Sequence, residues 1–192
     1  PEVAGRLRAL EELLRPADLL QTARAFVLSK DLGALGSAMV EPGEAAEDAA
    51  SAFKRANEIA EKLGSDVAEK TEVLEVLLPD LVRGDNGRRW QFGRGLAVGA
   101  GQLPHMWRRL LDALTAVPER ERNITVLRGF LQSAASRDTE ATAGFLDDAV
   151  DDPVLGPWFP VLQTSIDIDN RGAERLEAAI QLGLAPSWTY QY

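Results

Sequence analysis

The feature that most constrains the fold is a helical unit that occurs twice between Arg94 and Val150. The stretch RGLAVGA, which begins at Arg94, is matched by RGFLQSA, which begins at Arg128. The two Arg-Gly pairs lie 34 residues apart, and the Leu-Asp pairs that begin at Leu111 and Leu146 lie 35 residues apart. Each copy contains a helical pattern, a short polar break and a second helical pattern. A period of this length with this content indicates a stacked helical repeat.

Helical periodicity extends over most of the chain. Apolar residues spaced three or four apart predict helices around residues 3–14, 19–27, 44–63, 65–81 and 170–182. We expect residues 29–44 to form a loop, Gly64 to end one helix, and Pro79 to kink or end the next near Leu78. We also expect Pro118 to open the helix that contains Ile124.

The predicted class is all-α, because no segment alternates apolar and polar residues between turn signals. We expect antiparallel helix pairs stacked over residues 1–192 as a single helical-repeat domain. A subdivision would fall in the loop 83–89. The first residue is Pro1 rather than methionine, which favours a segment of a longer protein.

Two glycines lie at matching places inside the repeated helices, Gly95 and Gly129. A glycine in a helix interior costs about 1 kcal/mol relative to alanine. We therefore expect both to mark a close approach between stacked helices, which only a residue without a side chain permits.

Composition excludes several kinds of site. The net charge of −9 weighs against nucleic acids and anionic membranes as partners. The chain has no cysteine, which excludes disulfides and thiolate chemistry, and its single histidine, His105, excludes a histidine-cluster metal site. No run of 18 apolar residues or signal peptide occurs, so we expect a cytoplasmic protein without a membrane span, metal or cofactor. The oligomeric state is not predicted.

The pattern resembles the HEAT-like α-solenoids, which pair helices of this length with a proline near the first and an aspartate in the second. Asp112 and Asp147, together with Arg94, Arg128 and Arg171, are similar to the ladder of charged residues between the layers of such repeats. The resemblance implies a short right-handed α-solenoid with a concave face for protein or nucleic-acid partners.

No motif in the chain assembles a catalytic or metal-binding set. The glycine string at residues 93–99 has the wrong spacing for a dinucleotide loop. The calcium-loop start at Asp167 has Ala178 where a bidentate glutamate is required. A Gly-x-Ser-x-Gly elbow does not occur, and His105 is the only histidine base. We assign no catalytic residue and favour a non-enzymatic role.

The four tryptophans leave two functional interpretations open. They either fill the core or, where exposed, anchor a partner. The candidate partner-binding residues are Trp90, Arg94, Trp107, Arg128, Trp158, Arg171 and Trp188. The leading hypothesis is a protein-interaction scaffold. The alternative is a HEAT-like nucleic-acid-binding module or DNA-glycosylase-like enzyme, with Trp107, Asp112, Arg128 and Trp188 in the corresponding roles.

Overall fold

The computed structural model describes residues 18–28, 49–84 and 87–191. Helices and short turns make up these residues, which contain no strand apart from an isolated bridge between Arg83 and Arg122. The all-α class is therefore confirmed for the described part of the chain. The helix expected at 3–14 and the loop expected at 29–44 lie outside the described residues.

Nine α-helices occur within the described ranges. They are α1 (Leu19–Ala23, continued by a π-helical turn, Arg24–Leu28), α2 (Ala49–Ala68), α3 (Thr71–Leu81), α4 (Arg89–Gly99), α5 (Leu103–Thr115), α6 (Thr125–Arg137), α7 (Thr139–Ala149), α8 (Phe159–Gln163) and α9 (Asn170–Leu182).

Three expected helix boundaries are wrong. Helix α2 continues through Gly64, because this glycine serves packing: a Cβ there would lie 2.1 Å from the carbonyl oxygen of Phe92 in α4. Helix α3 continues through the exposed Pro79 to Leu81, so the early end near Leu78 is wrong, while the kink stays a prediction. Pro118 precedes a short 3-10 turn (Glu119–Glu121), and α6 begins only at Thr125.

Helices α2, α4 and α6 pack side by side and run in the same direction. A Cβ on Gly95 would meet the Glu61 carbonyl oxygen at 1.8 Å, and one on Gly99 would meet the Ser65 carbonyl oxygen at 2.4 Å. Residue numbers thus rise together along α2 and α4. Between α4 and α6, Trp90 donates its indole N–H to Gln132, while the carbonyls near the end of α4 accept from Arg137 at the end of α6.

The expected close approach at Gly95 and Gly129 is confirmed. A Cβ on Gly129 would lie 2.0 Å from the Trp90 carbonyl oxygen, so each glycine abuts the backbone of the preceding helix of this row. The register is not identical at the two sites. Gly95 contacts Glu61. If the contact were repeated exactly 34 residues later, Gly129 would contact Gly95. It contacts Trp90 instead, five residues earlier in α4.

The intervening helices α3, α5 and α7 make a second set of contacts. Arg109 of α5 forms an ion pair with Glu75 of α3 at 2.7 Å. Trp107 of α5 stacks on Phe145 of α7 with ring centroids 5.3 Å apart, and on Phe130 of α6 at 6.0 Å. The buried hydrophobic cluster extends from Ala23 to Ala179 and includes residues on both sides of the loop 83–89.

The ends of α9 agree with the expected range of 170–182. The Asp169 carboxylate accepts a hydrogen bond from the Gly172 N–H at 2.7 Å, which caps the first turn. Gly183 ends the helix with φ of 64°, a left-handed conformation that glycine adopts without strain. Over the described residues, every helix is too short or too polar to cross a bilayer.

Candidate functional site

A groove of about 770 Å³ lies where three loops meet, those that follow α5, α7 and α9. Two tryptophans, three prolines and three charged residues line it. They are Pro118, Glu119, Arg120, Arg122, Pro157, Trp158, Pro186 and Trp188. We call it the proline groove. Its volume falls within the roughly 300–1,000 Å³ that is usual for ligand pockets.

The loop after α5 is held in place by main-chain bonds. The Glu121 N–H donates to the Pro118 carbonyl at 2.8 Å, which closes the 3-10 turn. The Arg122 guanidinium donates through Nε to the Val117 carbonyl at 3.0 Å. Asn123 donates its backbone N–H to Val82 at 2.8 Å, which ties this loop to the loop after α3.

The loop after α7 is shaped by Asp152. Its carboxylate accepts hydrogen bonds from the backbone N–H groups of Val154 at 2.7 Å and Leu155 at 2.8 Å. Gly156 follows, and a Cβ there would lie 2.9 Å from a methyl carbon of Leu184. The segment after α9 therefore packs directly on the residue that precedes Pro157 and Trp158.

The segment after α9 is anchored by its neighbours so that Trp188 faces outward. Thr189 is 1% exposed and donates its hydroxyl to the Pro186 carbonyl at 2.6 Å. Burial raises the pKa of Tyr190, whose hydroxyl is buried without a hydrogen-bond partner among the described residues. Trp188 itself is 48% exposed.

Trp158 and Trp188 form an edge-to-face pair with ring centroids 5.8 Å apart and an interplanar angle of 75°. This arrangement is one that aromatic pairs prefer, because the ring edge of one meets the face of the other. Neither indole N–H has an acceptor among the described residues. The pair therefore offers an apolar face and two available donors.

The groove has a locally positive rim in a chain whose net charge is −9. Arg120 and Arg122 line it together with a single carboxylate, Glu119. Glu121 lies beside them and is engaged by Arg83 at 3.6 Å. The Arg120 side chain has no hydrogen bond or ion pair with the rest of the described chain, so its charge is available.

The structure brings only two of the seven candidate partner-binding residues into this groove, Trp158 and Trp188. The assignment of Trp107 to a partner surface is corrected, because Trp107 is 6% exposed and stacks between Phe130 and Phe145. It fills the core.

Trp90, Arg94 and Arg128 lie on α4 and α6, away from the groove. The Arg128 guanidinium carbon lies 4.9 Å from the centre of the Trp90 ring, a cation–π contact. Its nitrogens also approach the hydroxyls of Thr164 and Ser165 at 3.4 Å. Arg94 forms an ion pair with Glu61 at 3.4 Å. All three therefore have partners within the chain.

Arg171 joins α9 to α7 through carboxylates. It forms ion pairs with Asp147 and, at 3.1 Å, with Glu140. The buried Arg175 donates to the same Asp147 at 2.6 Å. Burial alone would raise the pKa of Asp147, but the hydrogen bonds and charges of the two arginines outweigh it and lower that pKa. Asp112, the matching aspartate of the other unit, is exposed and forms no ion pair within the described ranges.

Sequence reasoning missed Pro118, Pro157 and Pro186, together with Arg120 and Arg122. The available signal was a proline in the loop that follows each of the helices α5, α7 and α9. The pattern predicts only a helix boundary at Pro118 and assigns nothing to Pro157. Spacing along the chain does not show that loops 29 to 39 residues apart share one groove.

The described chain is thus an all-α protein with a proline- and tryptophan-lined groove at one set of loops. Comparison with protein-family models, with curated proteins and with solved structures finds no match for this chain. Function is therefore inferred from the groove itself.

Proposed function

We propose that the described helices form a short, HEAT-like, right-handed α-solenoid in which α2/α3, α4/α5 and α6/α7 are successive antiparallel pairs. Two observations support this proposal. The first helices of the three pairs contact one another in parallel through Gly95 and Gly129. The loops after the second helices also contact one another, since Asn123 bonds to Val82 and the proline groove spans the next three loops. Such contacts between nearest neighbours are what a repeat array requires.

The proposed function is that of a protein-interaction scaffold in the cytoplasm. The single observation that carries it is the edge-to-face pair of the partly buried Trp158 and the 48% exposed Trp188 inside a groove walled by prolines. Tryptophans at the centre of an apolar pocket are the residues that most often dominate binding energy in protein complexes. The proposed contact surface is the edge formed by loops, which adds to the concave face that the resemblance implies.

The test is a selection of random peptides on the immobilised protein. Sequences that bind the parent are then assayed against Trp188→Ala and against Phe53→Ala. Phe53 is a 54% exposed phenylalanine of α2 that does not line the groove. We expect binding to be lost in the first variant and kept in the second. Circular dichroism of both variants checks that the helices are intact. A selection that yields no Trp188-dependent sequence would argue against the proposal.

Two of the four residues named for the nucleic-acid alternative, Trp107 and Arg128, are engaged within the protein. Trp107 is buried and stacked in the core, so it offers no face to an extruded base. Arg128 lies over Trp90. We therefore keep the protein-binding function as the proposal.

A further inference from the structure

We infer that the proline groove binds a proline-containing, acidic segment of a partner protein in the polyproline II conformation. This inference deepens the proposed function and rests on it. It commits to one backbone conformation and one charge, each of which follows from the groove's walls.

The walls disfavour pairing with an extended β-strand. Strand addition requires a row of free backbone N–H groups. Pro118, Pro157 and Pro186 have none. Of the other lining residues, Arg122 and Trp158 already donate their N–H groups within their own turns, at 3.2 and 2.8 Å respectively. A strand laid in the groove would therefore find no continuous row of main-chain donors.

A whole helix is larger than the groove. Three turns of helix, about 16 Å long and 10–12 Å across, occupy roughly 1,500 Å³, whereas the groove measures about 770 Å³. A helix could therefore insert only one face, and its backbone carbonyls, which are bonded within the helix, would offer no acceptors to the groove.

A polyproline II segment matches what the walls offer. It has no internal hydrogen bonds, so its carbonyls are available as acceptors along its length. The indole N–H groups of Trp158 and Trp188 have no acceptor among the described residues, so they can donate to these carbonyls. The two rings stand at 75° to each other, which leaves an apolar corner for a flat proline ring. Aromatic-lined grooves recognise proline-rich segments in this way, because the ligand loses little entropy on binding.

The charge of the partner follows from the rim. Arg120 has no ion-pair partner among the described residues, and Arg122 is held against the groove by its bond to Val117. These two arginines line the groove together with one carboxylate, Glu119. A glutamate or aspartate in the partner segment would meet this excess positive charge, whereas a lysine would be repelled by it.

The experiment uses three synthetic nine-residue peptides and the full chain. The probe repeats Pro-Pro-Glu three times. One control repeats Pro-Pro-Lys and tests the charge, and the other repeats Ala-Ala-Glu and tests the backbone conformation. Binding is followed by fluorescence anisotropy and by shifts of the tryptophan indole N–H resonances, up to about 1 mM peptide.

Matched variants locate the contact. We expect Trp188→Ala and Arg120→Glu each to weaken binding of the Pro-Pro-Glu probe by at least about tenfold. Arg108→Glu changes the net charge by the same amount at an exposed position of α5 that does not line the groove. It should change the affinity by less than about twofold.

The outcomes separate this inference from the proposed function. Equal or tighter binding of Ala-Ala-Glu overturns the conformation, and tighter binding of Pro-Pro-Lys overturns the charge. Absence of Pro-Pro-Glu binding also overturns the inference. In each of these cases the proposed function stands if the random selection yields other Trp188-dependent sequences, and it falls if that selection yields none.

Discussion

At the scale of single residues, burial decides what each tryptophan does. Trp107 lies in the helical stretch HMWRRLL and Trp188 in the tail APSWTYQY, and neither stretch by itself shows how far the indole is buried. In the structure, Trp107 is 6% exposed between two phenylalanines, whereas Trp188 is 48% exposed at the groove. The first stabilises the fold, and the second is available to a partner.

The two tryptophans should therefore differ in their effect on stability. We expect Trp107→Ala to lower the free energy of unfolding by about 3–5 kcal/mol, because it leaves a large cavity in the core. Trp188→Ala should cost less than about 1 kcal/mol, since half of this side chain already contacts water. Urea denaturation of both variants measures the difference, and equal losses would show that Trp107 is not a core residue.

Asp147 is expected to link stability to pH. Its pKa is lowered by Arg171 and Arg175 in the folded protein, against about 3.9 in the unfolded chain. A depressed carboxyl pKa stabilises the fold above the unfolded value, and this stabilisation is lost as the pH falls through the folded value. Asp147→Asn should therefore destabilise the protein at pH 7, by about 1–3 kcal/mol, because it weakens the bonds to the buried Arg175.

Substitution of the neighbouring aspartate provides a control. Asp148 is the exposed neighbour of Asp147 and has no bonded partner in the described chain. Asp148→Asn should be close to neutral. In thermal melts, the difference in melting temperature between Asp147→Asn and the parent should narrow as the pH drops below about 4. A difference that stays constant down to pH 2 would mean that the Asp147 charge contributes nothing.

At the scale of elements, glycines control how closely α2, α4 and α6 pack. Gly64, Gly93, Gly95 and Gly129 all face a neighbouring backbone, and an added Cβ would lie 1.8 to 2.1 Å from a carbonyl oxygen at each. Such a contact is far inside van der Waals distance. Because the clashing atoms belong to backbone, whole helices must separate to relieve it.

We expect Gly95→Ala and Gly129→Ala each to lower the free energy of unfolding by at least about 1–3 kcal/mol. This clash outweighs the gain of about 1 kcal/mol that alanine brings to a helix interior.

Gly144→Ala is the matched control, since Gly144 lies in α7 and a Cβ there meets nothing within 4 Å. It should stabilise the protein by up to about 1 kcal/mol. Urea melts of the three variants decide the matter, and a Gly129→Ala variant as stable as the parent would contradict the close contact.

At the scale of the whole molecule, the net charge of −9 opposes long-range attraction to nucleic acids. The positive rim at Arg120 and Arg122 is small and local. We expect double-stranded DNA and single-stranded RNA to bind with dissociation constants weaker than about 1 μM at physiological salt. Fluorescence anisotropy with labelled oligonucleotides measures this, and tighter binding that depends on Arg128 would favour the nucleic-acid alternative.

The helices themselves were predictable from the sequence, because burial of one helical face leaves a periodic apolar pattern in the chain. The ends of α9 and the break between α6 and α7 followed from local chemistry. The packing role of Gly95 and Gly129 followed from their matching places in the two repeated units. Local signals failed where a residue serves a distant neighbour. Gly64 has the composition of a helix stop, yet it lies inside α2 because α4 packs against it.

Only the tertiary structure decided which tryptophans are exposed and where a groove forms. The proline groove joins Pro118, Pro157 and Pro186, whose separation along the chain is determined by the helices between them. A helical pattern gives the direction of a side chain relative to its own helix axis. It does not show which residue of another helix that side chain contacts, because this depends on how whole helices pack. The sequence alone therefore determined the elements, and their packing determined the site.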